Sequence, residues 1–115
     1  MSTPLTAVLS QALLLSRQAV GVDANDLANI STPGYDGQTL AWQSTLRRAV
    51  AAGPSATARV SGILVAEPGT LAPNGNAVSL EGTMADLTEN QLLYESAAQA
   101  YQVAATTTQD VAQVP

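Results

Sequence analysis

The chain has no cysteine, no histidine and no phenylalanine, and no lysine stands beside its four arginines, Arg17, Arg47, Arg48 and Arg59. Without cysteine there can be no disulfide, no iron–sulfur cluster and no thiolate zinc site, although this does not fix the compartment. Without histidine, cysteine or lysine the usual imidazole bases and most covalent nucleophiles are missing. Carboxylates remain. Asp23 and Asp26 stand three residues apart, and Asp86 and Glu89 repeat the spacing. Such pairs share one helix face and could serve acid–base chemistry or a weak divalent site. The plainer reading, adopted here, is a solvated acidic face. No enzyme activity, cofactor or metal is therefore expected. A net charge of −5 argues against nucleic acid, whose phosphates call for clustered Lys and Arg. No run reaches the roughly 18 consecutive apolar residues of a spanning helix, and the N-terminus lacks the basic region of a cleaved signal. Direct membrane insertion is not expected.

Hydrophobic residues make up 46% of the 115, but 21 of them are alanine and aromatics are only 3%. Alanine buries little area, so this apolarity overstates the core that one chain can form. Ordering the backbone costs roughly 1–2 kcal/mol per residue. Association with partners is the expected remedy.

Three regions follow from the patterning. Residues 1–35 hold a helix, predicted over 4–31, and a turn. Thr3 suits the N-cap and Pro4 the first helical position. Leu5, Val8, Ala12, Leu15, Ala19 and Val22 alternate steps of three and four, the spacing of a coiled-coil seam. A second stripe, Leu9, Leu13, Val20, Ala24 and Leu27, predicts packing on more than one side. Asn29 can cap free carbonyls at the helix end, or bond a partner's backbone. Thr32-Pro33-Gly34-Tyr35 reads as a turn with Pro second and Gly third.

Residues 36–78 are dense in breakers: Gly53-Pro54, Ser61-Gly62, Pro68-Gly69 and Pro73-Asn74-Gly75. A short helical run, Leu40 to Ala52, lies near Trp42. Val60, Ile63, Leu64 and Val65 suit a short strand. The region reads as an extended, loop-rich arm. Residues 79–115 hold the second long helix, over 79–112, with Ser79 as N-cap and Glu81 suiting the macrodipole. Two heptad sets mark it: Met84, Gln91, Ala98, Ala105 and Ala112, and Leu80, Leu87, Tyr94, Tyr101 and Thr108. Spacing alone leaves open whether Tyr94 and Tyr101 pack within the chain or against another. The same holds for Arg17, which reads as a surface charge or as a salt-bridge partner of Glu81, Asp86 or Glu89. The fold class is thus mainly α, with two long terminal helices pairing as an antiparallel coiled coil around a loop and short-strand middle.

Asp26-Leu27-Ala28-Asn29-Ile30-Ser31-Thr32-Pro33-Gly34-Tyr35 resembles the N-terminal signature of bacterial flagellar axial proteins, usually Asn-Ile-Ala-Asn-x-x-Thr-Pro-Gly-Tyr. Asp26 stands where that family has Asn, and Asp36-Gly37 where it has a basic residue. Asn76-Ala77-Val78-Ser79-Leu80-Glu81-Gly82-Thr83-Met84, followed by Asn90 and Tyr94, is similar to the Asn-x-Val-x-Leu-Glu-x-x-Met…Asn…Tyr pattern of the family's proximal rod members. The resemblance implies a structural subunit of the flagellar basal-body rod, exported by the type III route without a cleaved signal peptide and lodged in the periplasmic rod. It implies copies of itself, other rod proteins and the rod-to-membrane-ring adaptor as partners. The residues it marks for assembly are Asn29, Thr32, Pro33, Gly34 and Tyr35. Those expected to pack helices are Leu5, Val8, Leu15, Leu27, Leu80, Met84, Leu87, Asn90, Tyr94 and Tyr101. The alternatives are another short rod component, or a free helical hairpin serving as an export chaperone or adaptor.

Overall fold

A computed structural model describes residues 4–66 and 78–113, with side chains described for 5–107 of these. Helix α1 runs Pro4–Ala28 and α4 runs Leu80–Gln113. Between them lie strand β1, Gln38–Ala41, helix α2, Gln43–Ala52, the single-turn helix α3, Pro54–Ala58, and strand β2, Ile63–Ala66. The two long helices pack against each other in opposite directions. Asp23 meets Asn90, while Arg17, earlier in α1, shares a groove with Glu95, later in α4. The shape is a slab, 68 × 25 × 14 Å.

The expected helix boundaries hold within a few residues. Proline opens α1, as its missing amide allows. Ser79 caps α4, its Oγ accepting from the Gly82 amide at 3.2 Å. The predicted caps and breakers at Thr3, Pro68-Gly69 and Pro73-Asn74-Gly75 lie outside the described residues, as do the side chains of Thr108 and Ala112. The arm differs from expectation in two places. Leu40 and Ala41 belong to β1, not to the helical run, which begins at Gln43. A second short helix, α3, follows Gly53, which takes φ 120° and so breaks the backbone between α2 and α3. Pro54, read from sequence as a breaker, starts α3. β1 and β2 pair antiparallel, with Gln38 opposite Ala66 and Ala41 opposite Ile63. Val60 lies before β2 and packs on the core edge.

The core sits where the arm meets the helix pair. Leu15 and Ala19 of α1 pack with Trp42 and Leu46, and Ala12, Leu40, Val60 and Leu93 close the rim. Thus the centre of the first α1 stripe is buried as predicted, whereas Leu5 at its start is exposed. On α4 the intrachain seam is set one residue before the predicted Met84 set: Thr83, Asn90 and Ala97 are buried, and Ala104 is half-buried. These share a seven-residue spacing, so the heptad is present with small and polar members in the seam. Leu80, Met84, Tyr94 and Tyr101, expected in the helix packing, are instead exposed within the chain. Leu87 is half-buried at the seam's edge. By length and composition alone Leu5–Ala28 could cross a bilayer, with mean hydropathy 1.3, contrary to the reading from uninterrupted apolar runs. Here it packs along α4 and carries Arg17, Asp23 and Asp26.

Candidate functional site

Two polar clusters tie the arm to the helices, and both are built on carboxylates. Asp23 and Asp26 are each 1% exposed. This overturns the solvated acidic face expected of them. They lie on the inner side of α1, one and two turns beyond Ala19, and each meets a partner that sequence spacing does not reveal. Burying a carboxylate costs several kcal/mol unless hydrogen bonds replace its water.

The first cluster joins three elements. Asn90 of α4 donates through Nδ2 to Asp23 Oδ2 at 3.0 Å, and its Oδ1 accepts from Trp42 Nε1 at 3.0 Å. An indole nitrogen only donates and an ionised carboxylate only accepts. The Asn90 amide can therefore point one way only. Asn90, expected to pack helices, does so by locking α1, α4 and the entrance to α2 in register.

The second cluster shapes the turn. Asp26 accepts the Gln38 amide with both oxygens, at 3.0 and 3.3 Å, and the Tyr35 hydroxyl at 3.2 Å. Asn25 Nδ2 donates to the same hydroxyl at 2.6 Å. Asn29 Nδ2 donates to the Asn25 carbonyl at 2.9 Å, which is the capping role, and its Oδ1 accepts from Thr32 Oγ1 at 3.1 Å. Asn29, Thr32 and Tyr35 are thus drawn together at the end of α1. Pro33 and Gly34 are exposed at the tip. The Tyr35 amide donates to the Thr32 carbonyl at 3.3 Å, closing the turn. Burial and the adjacent Asp26 hold the Tyr35 phenol above its ordinary pKa, so it stays a proton donor.

Gly34 has φ 72°, as the turn reading required, and a Cβ there would meet nothing within 4 Å. Any penalty is therefore conformational. Gly34→Val is expected to cost about 1–2 kcal/mol. Gly34→Asn should cost clearly less, because Asn tolerates that region. Thermal melts ranking Gly, Asn and Val in that order check it; equal melts for Gly and Val would refute it.

A cleft of about 430 Å³ opens where β1 and the start of α2 face α4, between Trp42, Arg47, Asp86 and Glu89. Burial, and then the neighbouring Glu89, raise the Asp86 pKa. The folded state thus holds a proton more tightly than the unfolded one, and stability falls as pH rises through the window above the ordinary carboxylate value. Asp86→Asn is expected to melt higher than wild type near neutral pH and no higher in acid below that value. A melting difference independent of pH would show that the carboxylate's charge is not the cause.

No family model matches the chain, and no curated protein does.

Both buried carboxylates are held by donors from within the chain. Among the described residues no three metal-ligating side chains gather. What the helices leave open is an apolar surface. Met84 is 53% exposed, Tyr94 39% and Tyr101 37%. A second groove of about 370 Å³ runs beside them, lined by Arg17, Val20, Gln91, Tyr94 and Glu95. Val20, from the second α1 stripe, lines this groove, Leu27 is half-buried outside it, and no other described residue of that stripe lines it. Arg17 is exposed there and makes no ion pair among the described residues.

Proposed function

We propose that this chain is a structural subunit of the flagellar basal-body rod, at its proximal end, and that it polymerises through its terminal helices. The observation that carries this is the apolar heptad Leu80, Leu87, Tyr94 and Tyr101 with Met84, largely exposed in the single chain while the intrachain seam uses Thr83, Asn90 and Ala97. A seven-residue apolar repeat left outside its own core is a surface for another helix. The resemblance of the Thr-Pro-Gly-Tyr turn and of the Asn76 to Tyr94 pattern to the flagellar axial proteins supports the choice of family. Its partners would be copies of itself, other rod proteins and the adaptor to the membrane ring, reached by type III export. Its part is mechanical: many small helix contacts carry torque and line the export channel, and no catalysis is required of it.

The test is made in the bacterium that encodes the chain. Met84→Asp changes an exposed residue, so the fold should survive while assembly fails. Basal bodies counted by electron microscopy should fall to the level of the gene deletion, with variant subunit still exported. Normal basal bodies after deletion of the gene would refute the reading and favour a free hairpin.

A further inference from the structure

The two faces of the helix pair differ. The arm covers one of them: Gln11 Nε2 of α1 donates to the Ala58 carbonyl of α3 at 3.4 Å, and Leu93 of α4 packs on the core beside Trp42. The groove beside Tyr94 opens on the other. Val20 stands about 180° round α1 from Gln11, and Gln91 about 160° round α4 from Leu93. No residue of the arm lines this groove. Leu9, Leu13 and Leu27, all half-buried, lie within about 20° of Val20 along the same side of α1. On α4, Leu80, Met84, Leu87, Tyr94, Ala98 and Tyr101 fall within an arc of about 100°, the width of a stripe that normally faces a core. Among the described residues, then, one side of the helix layer is covered and the other is an apolar face.

The charges of that face are placed on opposite sides of it. Asp23 and Asn90 meet where the helices touch. From that line Val20 and Tyr94 lie about 60° and 40° outward on their helices and form the floor of the groove. Arg17 and Glu95 lie about 120° and 140° outward and form its two rims. Arg17 is the one base on either long helix. Both rim residues are exposed, and neither is in an ion pair among the described residues. One rim is therefore basic and the other acidic, at the same level of the hairpin, with apolar side chains between them.

We infer that a second copy of this chain docks on this face about a twofold axis parallel to the helices, closing a four-helix bundle with the two arms outermost. Such an axis sets α1 of one copy across from α4 of the other. Each Arg17 then meets the other copy's Glu95, and all neighbouring helices run antiparallel. A twofold axis across the helices would instead set Arg17 against Arg17 and Glu95 against Glu95, so charge selects the first arrangement. The contact is isologous, and a pair so closed does not grow. Its area is set by α1, 25 residues and so about 37 Å long, and by two helices each about 10 Å wide. That is close to the roughly 800 Å² per partner that a stable interface buries. The apolar stripes supply the burial, and the rim charges fix the orientation. The inference goes beyond the rod reading and does not rest on it. The pair covers the stripe through which a rod would assemble, and so is the form of the chain apart from one.

Sedimentation equilibrium of the full chain should find a reversible dimer and nothing larger. Arg17→Glu and Glu95→Arg should each weaken it by at least about tenfold, because each sets like charges together twice in the pair. The double variant, with base and acid exchanged, should return to within about threefold of wild type. Far-ultraviolet circular dichroism verifies that each variant is folded. Because the chain has no cysteine, Arg17→Cys and Glu95→Cys give a second readout that does not depend on charge reversal. Oxidation should link the two variants to each other when they are mixed, and neither to itself. Each variant linking to itself, with no link between them in the mixture, overturns the parallel twofold pair. A folded double variant as weak as the single ones overturns it too. So does a wild-type chain that stays monomeric at every concentration or grows into open polymers. Basal-body counts in the bacterium decide the rod reading separately.

Discussion

Trp42→Ala is expected to lose about 3–5 kcal/mol of folding free energy, the usual cost of deleting a large buried aromatic side chain. The core here is small: Leu15, Ala19 and Leu46 share it with Trp42, and alanine-rich helices offer nothing to fill the space left behind. Against a total stability of about 5–15 kcal/mol for an ordinary domain, that loss would detach the arm or unfold the chain. Trp42→Phe keeps most of the apolar area and removes the 3.0 Å bond to Asn90. It should cost less, about 1–3 kcal/mol, because an acceptor is left without its donor. Urea denaturation followed by circular dichroism measures both, since these substitutions remove the only tryptophan. A Trp42→Ala penalty below about 1 kcal/mol would mean that the arm is not anchored there.

Asn90→Ala comes next in size, at about 2–4 kcal/mol, although the side chain is small. It takes one donor from the buried carboxylate of Asp23 and leaves the Trp42 N–H without its acceptor. Asn90→Asp should be as damaging near neutral pH, because it sets one carboxylate against another at the same distance. In acid it should recover, as a single proton shared by the pair restores a hydrogen bond. The midpoint in urea, followed by Trp42 fluorescence at two pH values, reads both effects. An Asn90→Asp chain equally stable at the two would place Asp23 outside the contact.

Much of the architecture could be read from local pattern. Pro4 and Ser79 mark helix starts, the step of three and four through Leu15 and Ala19 marks the buried stripe of α1, and Gly34 marks the positive φ of the turn. These are signals carried by residues within one turn or one loop of each other. What escaped depends on residues far apart. Asp26 looks like a surface acid until the chain brings Gln38, twelve positions later, back to its oxygens. Asp23 looks the same until Asn90, 67 positions away, arrives. The α4 seam was misplaced by one residue for a related reason. Hydrophobicity singled out Leu80, Met84, Leu87 and Tyr94, whereas the chain's own seam uses Thr83, Asn90 and Ala97, small or hydrogen-bonded residues that a hydrophobic pattern does not weigh. The strongest apolar repeat was therefore real, but it belongs to the outside of the molecule.

The bond between Asp23 and Asn90 also sets when this protein can fold. Its two long helices close on each other only when residues 67 positions apart are both present. Loop-closure entropy must be met before those contacts repay it. A strand of polypeptide emerging from a ribosome, or threaded end first through a narrow conduit, has Leu15, Ala19 and Trp42 available early, but α1 has no α4 to lie on until Asn90 and Ala97 have followed. Until then the carboxylates of Asp23 and Asp26 favour water over a half-built interior. The polar lock between the helices thus postpones folding until nearly all of the chain is present.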